Sequence, residues 1–377
     1  MKTIKRFGGN ELKYLTKVLE GEHLTATSGS WTHELEQQFA KKMGSKYAIA
    51  FNSGTSTLHA ALVAVGVKRG DKVIVPALGP IMTSAAVIHA GAIPVFADVQ
   101  ESTFNIDPTD VARKMTPDVK AIIGVHLYGL PCDMDALKAF GVPVIEDCAQ
   151  ALLATYKGKY AGTIGAFGSF SFENSKHISC GEGGMLITDD ENLALIARRI
   201  GGHGFIGLTA ESGRVKGDKE IFQSPSYKRH AKIGWNYRMS ELQAAVALAQ
   251  FERVDELCKA RRESGLRMID AAIDDMRTQP IEGNSYWAFA AKYEGDWQEF
   301  RKRFIAAGGH PFYGAWSCPF DEPAFAGIIE SRIGDRPHPA NCPVAERIQP
   351  QIMQFKTSWL DIEDAKKQAE ILRSVLG

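Results

Sequence analysis

Short runs of apolar and β-branched residues recur through the first half of the chain: Tyr47 to Phe51, Val73 to Val75, Ile93 to Phe96, Ala121 to Val125 and Val142 to Ile145. Runs this short, with little polar alternation, predict strands buried on both faces. Between several of them apolar residues return at helical spacing, as in Leu58, Ala61, Leu62 and Val65, and again in Met134, Leu137 and Phe140. Strand and helix in alternation predict a largely parallel sheet with helices on both sides. Phe167 to Phe172 and Gly184 to Thr188 predict two more strands, with Gly181-Glu182-Gly183-Gly184 as the turn between them.

Residues 205–232 are rich in Gly, Lys and Ser, show little periodicity and read as a loop. A helix is expected to start at Ser240, because Ser240 and Gln243 have the spacing of a capping box. Leu242, Ala245, Val246, Leu248 and Phe251 follow at helical intervals. This helix should link a large domain (1–245) to a smaller C-terminal α/β domain (246–377), with helices near 297–307 and 361–375. No internal repeat or low-complexity segment interrupts the pattern.

A chain of 377 residues suits two such domains. Its 45% apolar and 23% charged residues are those of an ordinary globular protein. The 44 basic and 44 acidic residues cancel, so nothing resembles the basic face of a nucleic-acid binder and no nucleic-acid partner is expected. No apolar run approaches the roughly 18 residues of a membrane span. Met1 to Arg6 is basic without an apolar stretch after it, so no secretory signal is read and the expected location is the cytoplasm. The six cysteines are scattered without a C-x-x-C pair, which predicts reduced structural thiols and no metal or iron–sulfur set.

Three stretches carry candidate chemistry, and each falls where a parallel α/β sheet presents its ligand, at the carboxyl ends of strands. Asn52-Ser53-Gly54-Thr55-Ser56 lies between a strand and a helix. Its free N–H groups and the helix dipole suit a phosphate, although an ordinary N-cap loop reads the same way. Val144 to Gln150 is an apolar strand ending in Glu146 and Asp147. A carboxylate there can pair with a cationic ring nitrogen; a metal ligand or a helix cap is the other reading. In Ser169 to His177, Lys176 follows an aromatic strand and precedes the glycine turn. Such an amine can form a Schiff base with an aldehyde, whereas a lone lysine is ordinarily just solvated. The three together, in this order, suit one cofactor, pyridoxal 5'-phosphate (PLP).

With these residues in view the sequence resembles the sugar aminotransferases of the DegT/DnrJ/EryC1/StrS group, from about residue 8 to the C-terminus and most strongly over 50–250. The matching stretches are S-G-T-S-T-L-H-A-A-L, E-D-C-A-Q-A, F-S-F-E-N-S-K-H-I-S-C-G-E-G-G-M, H-G-F and N-Y-R-M-S-E-L-Q-A-A. The resemblance implies the α/β PLP-dependent transferase fold type I of aspartate aminotransferase, with a mostly parallel seven-stranded sheet in the large domain. It implies that Lys176 binds the cofactor aldehyde as a Schiff base and serves as the catalytic base. Asp147 would pair with the pyridine nitrogen, and Gln150 would hydrogen-bond the ring oxygen. Gly54, Thr55, Ser56 and Ser171 would hold the phosphate. Asn236 would reach the phosphate in a neighbouring subunit, which implies a homodimer with shared sites. Arg238 would hold the carboxylate of the amino donor, or form a structural ion pair instead.

The activity so implied is transfer of an amino group from an amino acid, glutamate by resemblance, to a keto sugar linked to a nucleotide, with pyridoxamine 5'-phosphate as the aminated cofactor. A cyclitol or non-nucleotide ketone, a PLP-dependent sugar dehydratase and a non-catalytic PLP-binding regulator are the alternatives. Dehydratases of this group carry histidine in place of the lysine, so Lys176 speaks for transfer. Two departures bear on the substrate. Pro80 stands where the family has an aromatic residue stacking on PLP, and Met353 to Trp359 replaces a leucine-proline ending, although Pro343 to Arg347 matches. His177 reads as a packing or hydrogen-bonding neighbour of Lys176.

Overall fold

The sheet that organises the chain is built from β1 (Tyr47–Phe51), β2 (Lys72–Pro76), β3 (Ile93–Ala97), β4 (Val119–Val125), β5 (Val144–Asp147), β8 (Phe167–Ser171) and β9 (Gly184–Thr188); a small hairpin, β6 (Thr155–Tyr156) and β7 (Lys159–Tyr160), stands apart from it. The computed structural model describes residues 4–215, 219–272, 276–325 and 341–377. Strand order is β1-β9-β8-β5-β4-β2-β3, and β9 alone runs antiparallel to its neighbours. The expected seven-stranded, mostly parallel sheet is therefore present.

Alternate residues of each strand serve opposite faces. On one face Ile49, Phe51, Val73, Val75, Ile123 and Leu186 pack with residues that include Leu58, Leu62, Val87 and Ile200. Those partners lie on three helices. On the other face Phe170, Met185 and Ile187 meet Leu35, Phe39, Leu248 and Phe251. Phe39 sits 5.1 Å from Phe170 and 4.8 Å from Phe251, ring centre to ring centre. Truncating such a ring costs about 3–5 kcal/mol.

The helices, in chain order, are α1 (Glu11–Glu20), α2 (Trp31–Met43), α3 (Gly54–Ala64), α4 (Ile81–His89), α5 (Pro108–Lys114), α6 (Met134–Lys138), α7 (Glu191–Gly201), α8 (Lys219–Gln223), α9 (Glu241–Phe251), α10 (Val254–Ala272) and α11 (Trp297–Ala306). Among the described residues two more helices follow, Pro343–Ile348 and Ile362–Leu376. At α9 the Ser240 hydroxyl accepts from the Gln243 N–H, and the Gln243 side chain accepts from the Ser240 N–H, so the capping box is formed as expected. α8 falls inside the segment read as a loop; five residues make too little pattern to be seen in sequence.

A second sheet, β10 (Arg277–Thr278), β11 (Ala288–Lys292), β13 (Ile352–Lys356) and β12 (Tyr313–Gly314) in that spatial order, is wholly antiparallel. Its core is aromatic: Phe289, Phe300, Phe304, Phe312 and Phe355. The expected domain boundary at 245/246 falls within α9, and α10 runs from there to the second sheet. No helix of the described residues is long and apolar enough to cross a membrane.

Candidate functional site

β5 begins at Val144 rather than Val142 and includes both carboxylates, Glu146 and Asp147. Successive strand residues point to opposite faces, so these two neighbours meet different surroundings. Both are buried.

Glu146 is filled with donors. Its Oε1 accepts the N–H groups of Ile164 and Gly165, each at 2.7 Å. Its Oε2 accepts the Gly162 N–H at 2.8 Å and lies 3.0 Å from His126 Nε2. His126 Nδ1 accepts the Cys132 N–H, so Nε2 carries the ring proton and donates to Glu146. Burial alone would raise the Glu146 pKa, but His126 and the backbone donors outweigh it and hold the carboxyl below its ordinary value. His126, Glu146 and Cys148 stand close enough together to suggest a metal ligand set. With the Glu146 oxygens and both His126 nitrogens engaged in this way, these two form a hydrogen-bonded clamp rather than a cage for an ion.

Asp147 is less well supplied. Oδ2 accepts the Thr83 hydroxyl at 2.9 Å and Oδ1 the Ala149 N–H at 3.1 Å. Burial dominates here and pushes the carboxyl up from its ordinary value, against those two bonds and the positive charge of Lys176. A buried carboxylate that lacks a cation is suited to receive one.

Lys176 follows β8 on the turn that leads to the glycine segment. Among the described residues its Nζ has no hydrogen bond and no ion pair; it lies 4.8 Å from the centre of the Trp287 ring. Burial lowers its pKa, an effect opposed by Glu173, Asp147 and Glu182 and reinforced by Arg261. The amine is thus shifted toward the uncharged, nucleophilic form.

The other expected residues gather at the same edge to different degrees. Gly54 opens α3, and a β-carbon added there would lie 2.8 Å from Ser171 Cβ, so glycine is what lets α3 approach β8 this closely. Ser53 caps α3 by accepting the Ser56 N–H. The Ser56 hydroxyl is already committed to Asn52 Oδ1 and the Ser53 carbonyl, both at 2.8 Å. Gln150 Oε1 accepts the Tyr128 N–H at 2.7 Å, which leaves its amide nitrogen as a free donor. That bond also pins Tyr128, a buried residue with φ of 60°. For a bulky side chain this conformation costs about 1–2 kcal/mol.

Asn236 lies on the exposed surface, beside Trp235, with no bond to the Lys176 turn. Arg238 lines a different small cavity, with Glu36, Arg198, His33 and Tyr237; that cavity includes none of Lys176, Asp147 or Gln150. Glu36 and Arg198 pair with each other at 2.8 Å, and among the described residues Arg238 Nη1 is buried without a partner. Pro80 is the N-cap of α4, three residues before Thr83. His177 is buried; its Nε2 donates to the Ser285 carbonyl at 3.2 Å, and burial pushes its pKa down to about 3. It is a neutral packing residue. All six cysteines are free.

Thr83, Trp287 and Arg261 were not visible as site residues in the sequence. Thr83 sits in the segment after β2, another strand end on the same edge, and that position was the available signal. Trp287 and Arg261 reach the site from the C-terminal half and carry no local motif.

Fold and site together define an α/β protein with an amine, a cation-seeking carboxylate and a helix N-terminus at one sheet edge. Residues 5–297 match the model of the DegT/DnrJ/EryC1/StrS aminotransferase family. The chain is 41% identical over 261 residues to GDP-perosamine synthase of Caulobacter vibrioides, a match covering 68% of this chain and 65% of that protein. The matched stretch spans just under two thirds of the length of the curated relatives. Among solved structures, an aminotransferase from Psychrobacter cryohalolentis superposes with a TM-score of 0.85 at 29% identity, over 97% of this chain and 96% of that one. GDP-4-keto-6-deoxymannose-3-dehydratase (ColD), solved with bound GDP-perosamine, superposes with a TM-score of 0.84 at 25% identity, over 100% and 99%. The chain belongs to the DegT/DnrJ/EryC1/StrS aminotransferase family, whose members are PLP-dependent enzymes.

Proposed function

We propose that this chain is a PLP-dependent aminotransferase that moves an amino group from an amino acid, glutamate by family resemblance, to a nucleotide-linked keto sugar. The observation that carries the reading is Lys176: an unpaired amine with a lowered pKa, on the same sheet edge as a buried carboxylate that lacks a cation. The similarity to a GDP-perosamine synthase supports the sugar and the nucleotide.

The residues present fit the cofactor. Asp147, raised by burial, would gain the partner it lacks from a ring-nitrogen cation. Gln150 has an amide nitrogen free to donate to a ring oxygen. The close approach of Gly54 to Ser171 makes a cradle that a side chain would fill. There Ser171, Thr55 and the first N–H groups of α3 would hold a phosphate, with Ser56 joining only if its hydroxyl turns from Asn52. When bound, PLP supplies an aldehyde for an amine to condense with and a ring that withdraws electrons from the adjacent carbon.

Lys176 Nζ would hold the group covalently and, once displaced by the donor's amine, take a proton from the donor α-carbon and return one to the acceptor. Its depressed pKa favours the neutral form that this work needs. Asn236 is placed at the surface, where it would serve a second copy's site in a homodimer. Arg238, with a free Nη1, would hold the donor carboxylate if the second copy completes its cavity.

The ColD neighbour raises dehydration as a second reading. The lysine favours transfer, because a residue that carries a proton and also displaces the product amine has to be an amine itself. Incubation with PLP, glutamate and a GDP-linked 4-keto sugar separates the readings: transfer yields 2-oxoglutarate and an amino sugar in equal amounts, dehydration yields a deoxy sugar.

A further inference from the structure

The turn that carries Lys176 is gripped from below by two guanidinium groups from distant parts of the chain. Arg261, on α10, donates from Nη2 to the Ser175 carbonyl at 2.7 Å and to the Lys176 carbonyl at 2.9 Å. Its Nη1 donates to the Trp287 carbonyl at 2.9 Å. Arg6, from the N-terminal segment, donates to the Lys176 carbonyl at 3.2 Å and to the Asn174 carbonyl. Trp287 closes the arrangement: its indole N–H donates to the Ser175 carbonyl at 3.0 Å, and its ring lies under the Lys176 amine.

Arg261 is buried, and among the described residues it has no carboxylate partner. A buried cation without a counter-ion is costly, and a glutamate or a neutral residue would relieve that cost. Three carbonyl acceptors satisfy its donors but leave the net charge in place. For a scaffold role alone, a neutral donor would do. The charge sits at the Lys176 carbonyl and acts on the Lys176 amine, whose pKa it helps to lower.

We propose that Arg261, assisted by Arg6, is a positioning residue for Lys176: it fixes the turn through the carbonyls of residues 175 and 176 and holds a positive charge beneath the amine, so that the amine is presented in its reactive state. The inference rests on the reading of Lys176 as the amine that meets the cofactor.

The charges facing Lys176 come from several elements. Glu173 lies on its own turn, Asp147 on β5 and Glu182 on the glycine turn, and all three favour the ammonium form. Arg261 opposes them, together with burial, which is the larger influence. Arg6 adds its charge at the same carbonyl. His177 beside it is held neutral by burial. Lys356 lies near enough to feel Arg261. Glu173 and Asp147 each act on the amine more strongly than Arg261 does, so its pKa is lowered by burial first, with the Arg261 charge adding to it. The device also ties the amine to the assembly of the chain, because the Arg6 carbonyl is held by Gln250 of α9 and by Arg253 at 2.7 and 3.0 Å.

The test uses the full chain, freed of cofactor. Lys176 is labelled competitively with trace acetic anhydride across a pH series, and the peptide that contains it is quantified by mass spectrometry. The wild-type midpoint is expected below that of an ordinary lysine. Arg261→Gln is expected to raise it by about one pH unit, as loss of a neighbouring like charge does. Arg6→Gln is expected to raise it by less, and Arg261→Lys, which keeps the charge, to restore most of the wild-type value. If Arg261→Gln does not fold, the Arg6→Gln midpoint decides alone. A midpoint unmoved in every folded variant that has lost a charge would overturn the proposal and leave the arginines as scaffold. Because no PLP is present, the result is independent of whether the loaded protein transaminates; a missing PLP absorption band would count against the cofactor reading instead.

Discussion

Glu146 and Asp147 are neighbours on β5, both buried, and their carboxyl groups are driven in opposite directions. Four N–H donors hold Glu146 below its ordinary value, while burial with only two donors pushes Asp147 above it. The first is a finished internal structure. The second is an unfinished one, and the position it leaves open is what makes it a ligand group.

Asp147→Asn should therefore separate stability from function. A carboxyl whose folded pKa is raised contributes its stability below the unfolded value of about 3.9, and loses it as pH rises through the folded value. At pH 7 the cofactor-free Asn variant should melt at or above the wild-type temperature, and the difference should shrink as pH falls toward 4. Transamination should fall at least about 100-fold, because the ring nitrogen loses its partner. Paired melting curves against pH check the first part; a wild type that stays the more stable at neutral pH contradicts it.

Glu146→Gln should behave in the opposite way. It swaps a charge that accepts four bonds for an amide that must turn a donor toward N–H groups, at a cost of about 2–4 kcal/mol. Urea unfolding with an unchanged m-value reads this directly. A loss below about 1 kcal/mol would mean that the clamp is less important than its geometry indicates.

Gly54→Ala should weaken cofactor binding more than folding. The added β-carbon meets Ser171 Cβ at 2.8 Å, so the start of α3 must move away from β8. PLP affinity is expected to fall about tenfold, equivalent to about 1.4 kcal/mol. Adding Ser171→Gly removes the obstructing atom and should recover part of the loss of space but not the lost hydroxyl. Equilibrium titration with PLP shows whether the double variant binds more tightly than Gly54→Ala alone.

His177→Asn should reduce kcat less than about threefold, since a buried ring whose pKa is pushed down to about 3 is too weak a base to take up a proton at pH 7, and its N–H is held by the Ser285 carbonyl. A general acid or base at this position would be worth about 100- to 10,000-fold. Steady-state rates across pH 6 to 9 distinguish the two cases.

The parts of this site readable in sequence are the ones built from short consecutive stretches. Asn52 to Ser56, Glu146-Asp147 and Ser171 to Lys176 each sit at a strand end, and a strand's carboxyl end can be placed from its apolar run alone. The β5 boundary slipped by two residues because the Val142-Pro143-Val144 run is uniformly apolar and offers no stop. What could not be read are contacts made by folding. Thr83 meets Asp147 across 64 residues, and Arg261 meets Lys176 across 85. The commitment of the Ser56 hydroxyl to Asn52 is another such fact, since only the geometry of the α3 cap decides it. Arg238 shows the reverse case: a motif residue whose place in the chain is a cavity apart from the lysine.

On the proposed function, Lys176 binds PLP and the loaded protein takes its amino group from glutamate. The most direct measurement is the visible absorption of the PLP-loaded protein before and after addition of glutamate, beside Lys176→Ala. The wild type should show a visible lysine-bound band that is lost on adding glutamate with release of an equal amount of 2-oxoglutarate, and Lys176→Ala should show no such band. A Lys176→Ala protein with the same band would contradict the assignment of the amine, and a wild-type band left unchanged by glutamate would contradict the donor.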